Sequence, residues 1–421
     1  DLLLKEVQER VVSVLRMAEA LSPKYHVVVA NPPYMGNRNM NPQLAGWIKK
    51  EYEDVKTDLF SSFIVRSFGL SLPKGQLGFM SPFVWMFISS YENLRKYILN
   101  KKTISSLIQL EYSGFDGATV PICTYTLTNS HLPHHRGGYV RLSDFKGAAN
   151  QAPRALEAIS DPNCGWFFRT SAVDFQKIPG LPIAYWLSDQ FRNSFSKFDS
   201  IGDLAFASNG IQTGDNGRFV REWHEIEGNK FSQDAFVPYN KGGDFRKWFG
   251  NNENVVNWKH DGSEIREQKN CCIRGEKFYF KEGITWSDIT SARSSFRYFP
   301  EGHLFDAKGP SAFASDEVFH LVLGFLNSSL VYVLSKALNP TLSFQIGDFR
   351  NLPVKYIDYP ERTVVEEAVR MAISIARSDW DAYETSWDFT TLPLLQPDHR
   401  AETLEDTFTA LRTHWQGMTD K

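Results

Sequence analysis

Residues 25–34 read YHVVVANPPY, and no other stretch restricts the fold of this chain as strongly. Val27 to Ala30 are four small apolar residues, the composition of a strand buried in a sheet. Asn31 stands directly before Pro32, which steers it away from the α region, and Pro33 stiffens the turn that follows. The strand must end in a rigid turn that presents an amide, two prolines and an aromatic ring. In a parallel α/β sheet, whatever follows the carboxyl end of a strand enters the crevice where ligands bind.

The flanking sequence supports that setting. A helix is expected over residues 2–21, before the strand, and helical periodicity over 41–72 comes in two pieces, with Leu59, Phe60, Phe63, Ile64 and Phe68 at helical spacing. LPKGQLGFMSP reads as turn, strand, turn. SSYENLRKYILNKK is a further helix, and TISSLIQLEY and ICTYTLTN are strands. Alternating elements of this kind predict an α/β fold with helices on the sheet faces. Residues 1–140 form the expected first domain, and 141–199, weakly periodic and broken by Pro and Gly, a linker or subdomain. Residues 200–355, rich in Gly, Asn, Trp and Phe, read as a second, mixed α+β domain, and 356–421 as a helical segment. Within the last, ERTVVEEAVRMAISIARSDW places Val364, Val365, Ala368, Met371, Ala372 and Ile375 on one side of a helix.

Composition excludes several classes. The net charge of −3 gives no global sign of a polyanion binder, so any nucleic-acid surface must be a local patch. Residues 351–421 hold 7 Lys and Arg against 13 Asp and Glu, and are the part least suited to face phosphate. Cys123, Cys164, Cys271 and Cys272 show no paired metal-ligand spacing, which points to a reduced cytoplasmic protein without a zinc site. HLPHHRGG (residues 131–138) has the Pro and Gly content of a loop. The apolar run at 318–334 is interrupted by His320, Asn327, Ser328 and Ser329, and is expected as a buried core helix, not a membrane span. The N-terminus has no signal-peptide pattern, and its helix starts abruptly, as though cut from a larger chain.

The chemistry of the turn follows from its donors and acceptors. The Asn31 amide oxygen and the Pro32 carbonyl are preorganised acceptors, and two acceptors aimed at one point suit a planar amino group. Accepting both hydrogens draws the nitrogen lone pair out of conjugation and makes it nucleophilic toward an electrophilic methyl. Tyr34 offers a ring face against which a flat base stacks. An accidental turn with a polyproline kink is the alternative.

Asn31-Pro32-Pro33-Tyr34 resembles the catalytic motif of S-adenosylmethionine-dependent amino-methyltransferases. The motif alone is shared by enzymes acting on DNA adenine, RNA guanine and protein glutamine. Asp58-Leu59-Phe60, LPKGQLGFMSP, YENLRKYIL and FDGATVPICTYTLTN follow in the order of the γ-class DNA adenine N6-methyltransferases. The resemblance implies a cofactor role for Asn31 and Asp58, and a target-base pocket of Tyr34, Val120, Pro121 and Tyr125. Core helices and strands explain those later segments individually.

The second half narrows the substrate. SNGIQTGDNGRFVREW, PYNKGGDFRKWFGN, GITWSDIT and LSFQIGDFRNLPV together resemble the target-recognition region of large Eco57I-like methyltransferases, and KGGDFRKWFGN, FYFKEGITWSDIT and DWDAYETSWDF resemble in particular those of BREX phage-defence systems. The fold implied is α/β: the C-terminal part of a Rossmann-like methyltransferase sheet, a mixed α+β target-recognition domain and a helical C-terminal segment. Lys241, Gly242, Gly243, Arg246, Lys247 and Trp248 combine cations, backbone amides and an aromatic as phosphate contacts require, while Gln212 and Thr213 could read base edges. A solvated turn is the plainer explanation for any one of them. The implied partners are double-stranded DNA, other BREX proteins and a phage-encoded DNA-mimic inhibitor. The family's Gly-rich donor loop has no counterpart here, which suggests that the main S-adenosylmethionine site lies outside this chain. A single-chain restriction-modification enzyme and a non-catalytic recognition module remain the competing readings.

Overall fold

The computed structural model describes residues 2–112, 114, 121–227, 235–290, 293–340, 343–358 and 360–420. The chain divides into two compact units, residues 1–197 and 198–421.

The first unit is built on a six-stranded sheet of β1 (Tyr25–Ala30), β2 (Ser71–Pro82), β3 (Thr103–Gln109), β4 (Ile122–Thr128), β5 (Gly137–Arg141) and β6 (Phe167–Thr170). The spatial order is β1-β2-β4-β3-β5-β6. β1 and β2 pair in parallel, as do β3 and β5, and β4 runs reversed between β2 and β3. The α/β expectation is borne out. Helices α1 (Leu2–Leu21), α2 (Pro42–Glu51), α3 (Leu59–Leu70), α4 (Glu92–Lys101) and α5 (Ala148–Ser160) punctuate the sequence. Phe60, Ile64 and Phe68 of α3 recur at helical spacing and enter one core with Leu77, Phe79, Trp85, Leu94, Ile98 and Leu127.

Two features depart from expectation. β1 lies at the sheet edge, and its burial is one-sided: Val28 and Ala30 pack on the core, whereas Val27 and Val29 are 59% and 76% exposed. Residues 141–199, read as a linker or subdomain, instead add β6 to the first sheet and pack Phe175, Ile183 and Tyr185 into its core. They also hold the 13-residue helix Ala148–Ser160, interrupted in pattern by Pro153, whose Ala158 packs with Val140 and Leu142.

The second unit carries two four-stranded sheets. One joins β8 (Val220–Glu222), β9 (Phe236–Asn240), β10 (Asn254–Asn257) and β13 (Leu304–Phe305). The other joins β7 (Ala205–Ser208), β11 (Gly283–Trp286), β12 (Phe296–Phe299) and β14 (Ser311–Ala314). Trp286 on β11 stacks on Phe349 at 5.3 Å and donates its indole N–H to the Phe344 carbonyl at 2.9 Å, so Phe344 and Phe349 serve the core. The apolar run forms α6 (Asp316–Asn327) and α7 (Ser329–Leu338), bent by 76° at Ser328, where one helix was expected. Asn327, the last residue before the break, bonds both the N–H and the C=O of Phe296 on β12 through its amide. Among the described residues no single helix is long and apolar enough to cross a membrane. The amphipathic pattern over 361–380 is realised as α8 (Glu361–Trp380), followed by α9 (Leu404–Thr419).

Candidate active site at the end of the first strand

The turn after β1 is held by the segment that opens α3. Asp58 caps that helix through the Phe60 N–H at 3.2 Å, and the same carboxylate oxygen accepts the Met35 N–H at 3.0 Å. Gly36 and Asp58 form an antiparallel bridge, Leu59 N–H donates to the Met35 carbonyl at 3.0 Å, and Asn37 N–H to Thr57 at 3.1 Å. The Asn31–Tyr34 turn is thus clamped directly behind its ring. Pro32 is buried, while Asn31, Pro33 and Tyr34 are exposed.

Tyr34 meets Phe60 edge to face with centroids 6.3 Å apart, and its hydroxyl donates to the Asn31 side-chain oxygen at 3.3 Å. That bond is long, and the oxygen keeps a lone pair for another donor. Partial burial raises the Tyr34 pKa, and the nearby Cys123 adds to it, so the hydroxyl stays neutral. Asp58-Leu59-Phe60 therefore supplies a brace, a helix start and a ring support from consecutive residues. Sequence reasoning found Asp58 but missed Phe60 as part of the site; its helical spacing marked it only as core.

Other candidates fall differently. Tyr125 on β4 is 1% exposed, closed in by Phe79 and Trp85, and its hydroxyl shares a 3.1 Å hydrogen bond with Ser81. It has no free face for a base, because its position opposite Phe79 points it into the core. The Pro121 carbonyl accepts the Phe83 N–H and ties β2 to β4. Val120 lies outside the described residues. Cys123, beside Tyr125, is fully buried, and burial pushes its thiol up to about 12. Asp58, a cofactor candidate, has one oxygen committed to two backbone donors.

The second unit separates the residues read as one DNA-binding cluster. Thr213 is 1% exposed, bonds Asn216 at 2.8 Å and accepts from Asp215, so a local turn consumes its hydroxyl. Gln212 is exposed, but its backbone pairs with Cys272 and its amide donates to the Asn270 carbonyl. Gly242 and Gly243 take φ of 96° and 121°, a reversal that L side chains rarely adopt. Lys241 is partly exposed beside them. Arg246 pairs with Asp379, bonds the Phe249 carbonyl and lies 4.9 Å over the Trp380 ring. It clamps the loop to α8 and is not available to phosphate. Trp248 joins the edge of β12 through its backbone and lines a groove with Met371 and Ile375. Lys247 lines a second cleft together with Arg293.

Comparison with known proteins follows the same outline. The sequence model of the family described as Eco57I restriction-modification methylase matches residues 6–115. The chain is 36% identical over 97% of its length to the adenine-specific methyltransferase PglX of Lacticaseibacillus casei, covering 35% of that protein. It is 35% identical over 94% of its length to the adenine-specific methyltransferase BrxX of Escherichia coli, covering 33%. The chain thus spans about a third of the length of these curated relatives. In structure it is similar to the type IIL restriction-modification enzyme MmeI, solved in complex with DNA: TM-score 0.58, 13% identity, 94% of this chain and 57% of that one.

Proposed function

We propose that this chain, similar over nearly its whole length to a third of the PglX and BrxX adenine-specific methyltransferases, is the catalytic-turn and DNA-recognition portion of a DNA adenine N6-methyltransferase. The observation that carries the reading is the Asn31–Tyr34 turn, braced by Asp58 and backed by Phe60 at the carboxyl end of a sheet strand.

The target adenine, flipped from the duplex, stacks on the Tyr34 ring with its amino group toward Asn31 and Pro32. Asn31 already accepts one weak hydrogen bond from Tyr34, so the amino group exchanges for or joins that donor. Accepting its hydrogens strengthens as nitrogen turns from planar toward tetrahedral, which places the interaction in the transition state. The electrophilic methyl comes from S-adenosylmethionine, held mainly by protein beyond the residues described here. The second unit contributes contacts to double-stranded DNA. Self-marking within a BREX phage-defence system, with other BREX proteins as partners and a phage DNA mimic as inhibitor, is the cellular setting of this proposal.

The test is methylation by the complete protein, read by modified-base sequencing, with Asn31→Ala against wild type. Wild-type methylation by that variant would reduce the motif to a turn.

A further inference from the structure

The 76° bend at Ser328 points the start of α7 into a cleft of about 70 Å³ that also receives Lys247 and Arg293. Three features of the cleft favour an anion. First, two cations share it, neither ion-paired to a carboxylate among the described residues, and no Asp or Glu lines it. Burial, with the neighbouring Arg293 charge second, lowers the Lys247 pKa, so the pair meets at a cost that an anion would offset. Second, donors remain free. The Lys247 ammonium spends one hydrogen on the Asn327 carbonyl at 2.6 Å, and the Arg293 guanidinium lies 4.6 Å from the Tyr332 ring centre with no hydrogen bond among the described residues. Third, Ser328 precedes α7 without capping it, and its buried hydroxyl oxygen has no hydrogen-bond partner among the described residues. The first turn of a ten-residue helix adds unpaired N–H groups and a positive dipole end.

We infer that Lys247, Arg293, Ser328 and the start of α7 bind one tetrahedral oxyanion, a backbone phosphate of duplex DNA. The inference rests on the reading of the second unit as a DNA-binding element. Arg293 is exposed and gives the site an open side, as a phosphate carried on a polymer requires. Lys247 sits deeper and fixes the depth of entry.

The experiment measures duplex binding by the chain through fluorescence anisotropy over a salt series, for wild type, Arg293→Gln, Lys247→Gln and the double variant. Lys247 is only partly buried and Arg293 is exposed, so neither substitution empties a core position, and thermal unfolding checks that both variants keep the fold. Each single change is expected to weaken binding roughly tenfold. The double variant should lose less than the product, because both cations act on one phosphate. Its slope of log affinity against log salt should flatten by about 0.9. Arg293→Lys should restore most of the affinity. Unchanged affinity and slope in the double variant, with wild type binding duplex, overturns the site alone. Wild type that binds no duplex overturns the functional reading and the assignment of DNA as the ligand. Inorganic phosphate that binds wild type tightly while duplex affinity ignores both substitutions makes this a free-phosphate site and overturns the proposal.

Discussion

Replacing Asp58 separates a brace from a ligand contact. One oxygen of its carboxylate accepts the N–H groups of Met35 and Phe60, at 3.0 and 3.2 Å. Losing a helix N-cap costs about 1 kcal/mol, and losing a second partly buried bond to a charged acceptor about 1.5 kcal/mol, so Asp58→Ala should destabilise the first unit by about 2–3 kcal/mol. Asp58→Asn keeps an oxygen at the same place and should cost under about 1 kcal/mol. Urea unfolding of the chain, followed by tryptophan fluorescence, gives the stability term. Steady-state methylation by the complete protein gives the other. A brace that aims Asn31 should lower kcat more than it raises KM, with Asn restoring most of the rate. If Asn is as damaging as Ala, the negative charge itself faces a ligand and the bracing argument is refuted. It is equally refuted if Ala costs nothing in stability.

Three further outcomes are expected. Asn31→Ala should lower methylation on the order of a hundredfold or more while leaving unfolding and duplex affinity unchanged, as measured on the same preparations. Tyr34→Ala should weaken capture of an extrahelical adenine by about 1–3 kcal/mol, read with 2-aminopurine at the target position, whereas Tyr34→Phe loses only the 3.3 Å bond to Asn31 and should be tolerated. Arg246→Met should destabilise the second unit by about 1–2 kcal/mol through the Asp379 pair and the Trp380 stack, without altering the salt dependence of DNA binding.

Strong local signals were legible in the sequence and partnerships across the fold were not. Two prolines after a valine run announce a strand end wherever they occur, and a twenty-residue amphipathic pattern such as 361–380 outweighs its surroundings. Arg246 and Lys247 are adjacent and chemically alike, yet one is turned onto Asp379 and the other into a cleft, because Asp379 is 133 residues away. Thr213 looked like a reader of bases until its turn claimed the hydroxyl. The contact made beside the helix break at Ser328 is equally remote, since the backbone that Asn327 binds belongs to β12.

That same asparagine decides how the second unit behaves in a crowded solution. β12 is the terminal strand of its sheet, and such a strand is a template on which another chain can add. Here the Asn327 amide bonds both polar groups of Phe296 as a neighbouring peptide would, while the Trp248 backbone donates a second N–H to the Phe296 carbonyl and accepts the Tyr298 N–H. The edge is stoppered by side chain and loop. The opposite case is β1, which among the described residues pairs only with β2 and carries Val27 and Val29 outward. Self-association of the isolated polypeptide, where it occurs, has its natural seed at β1 and not at β12.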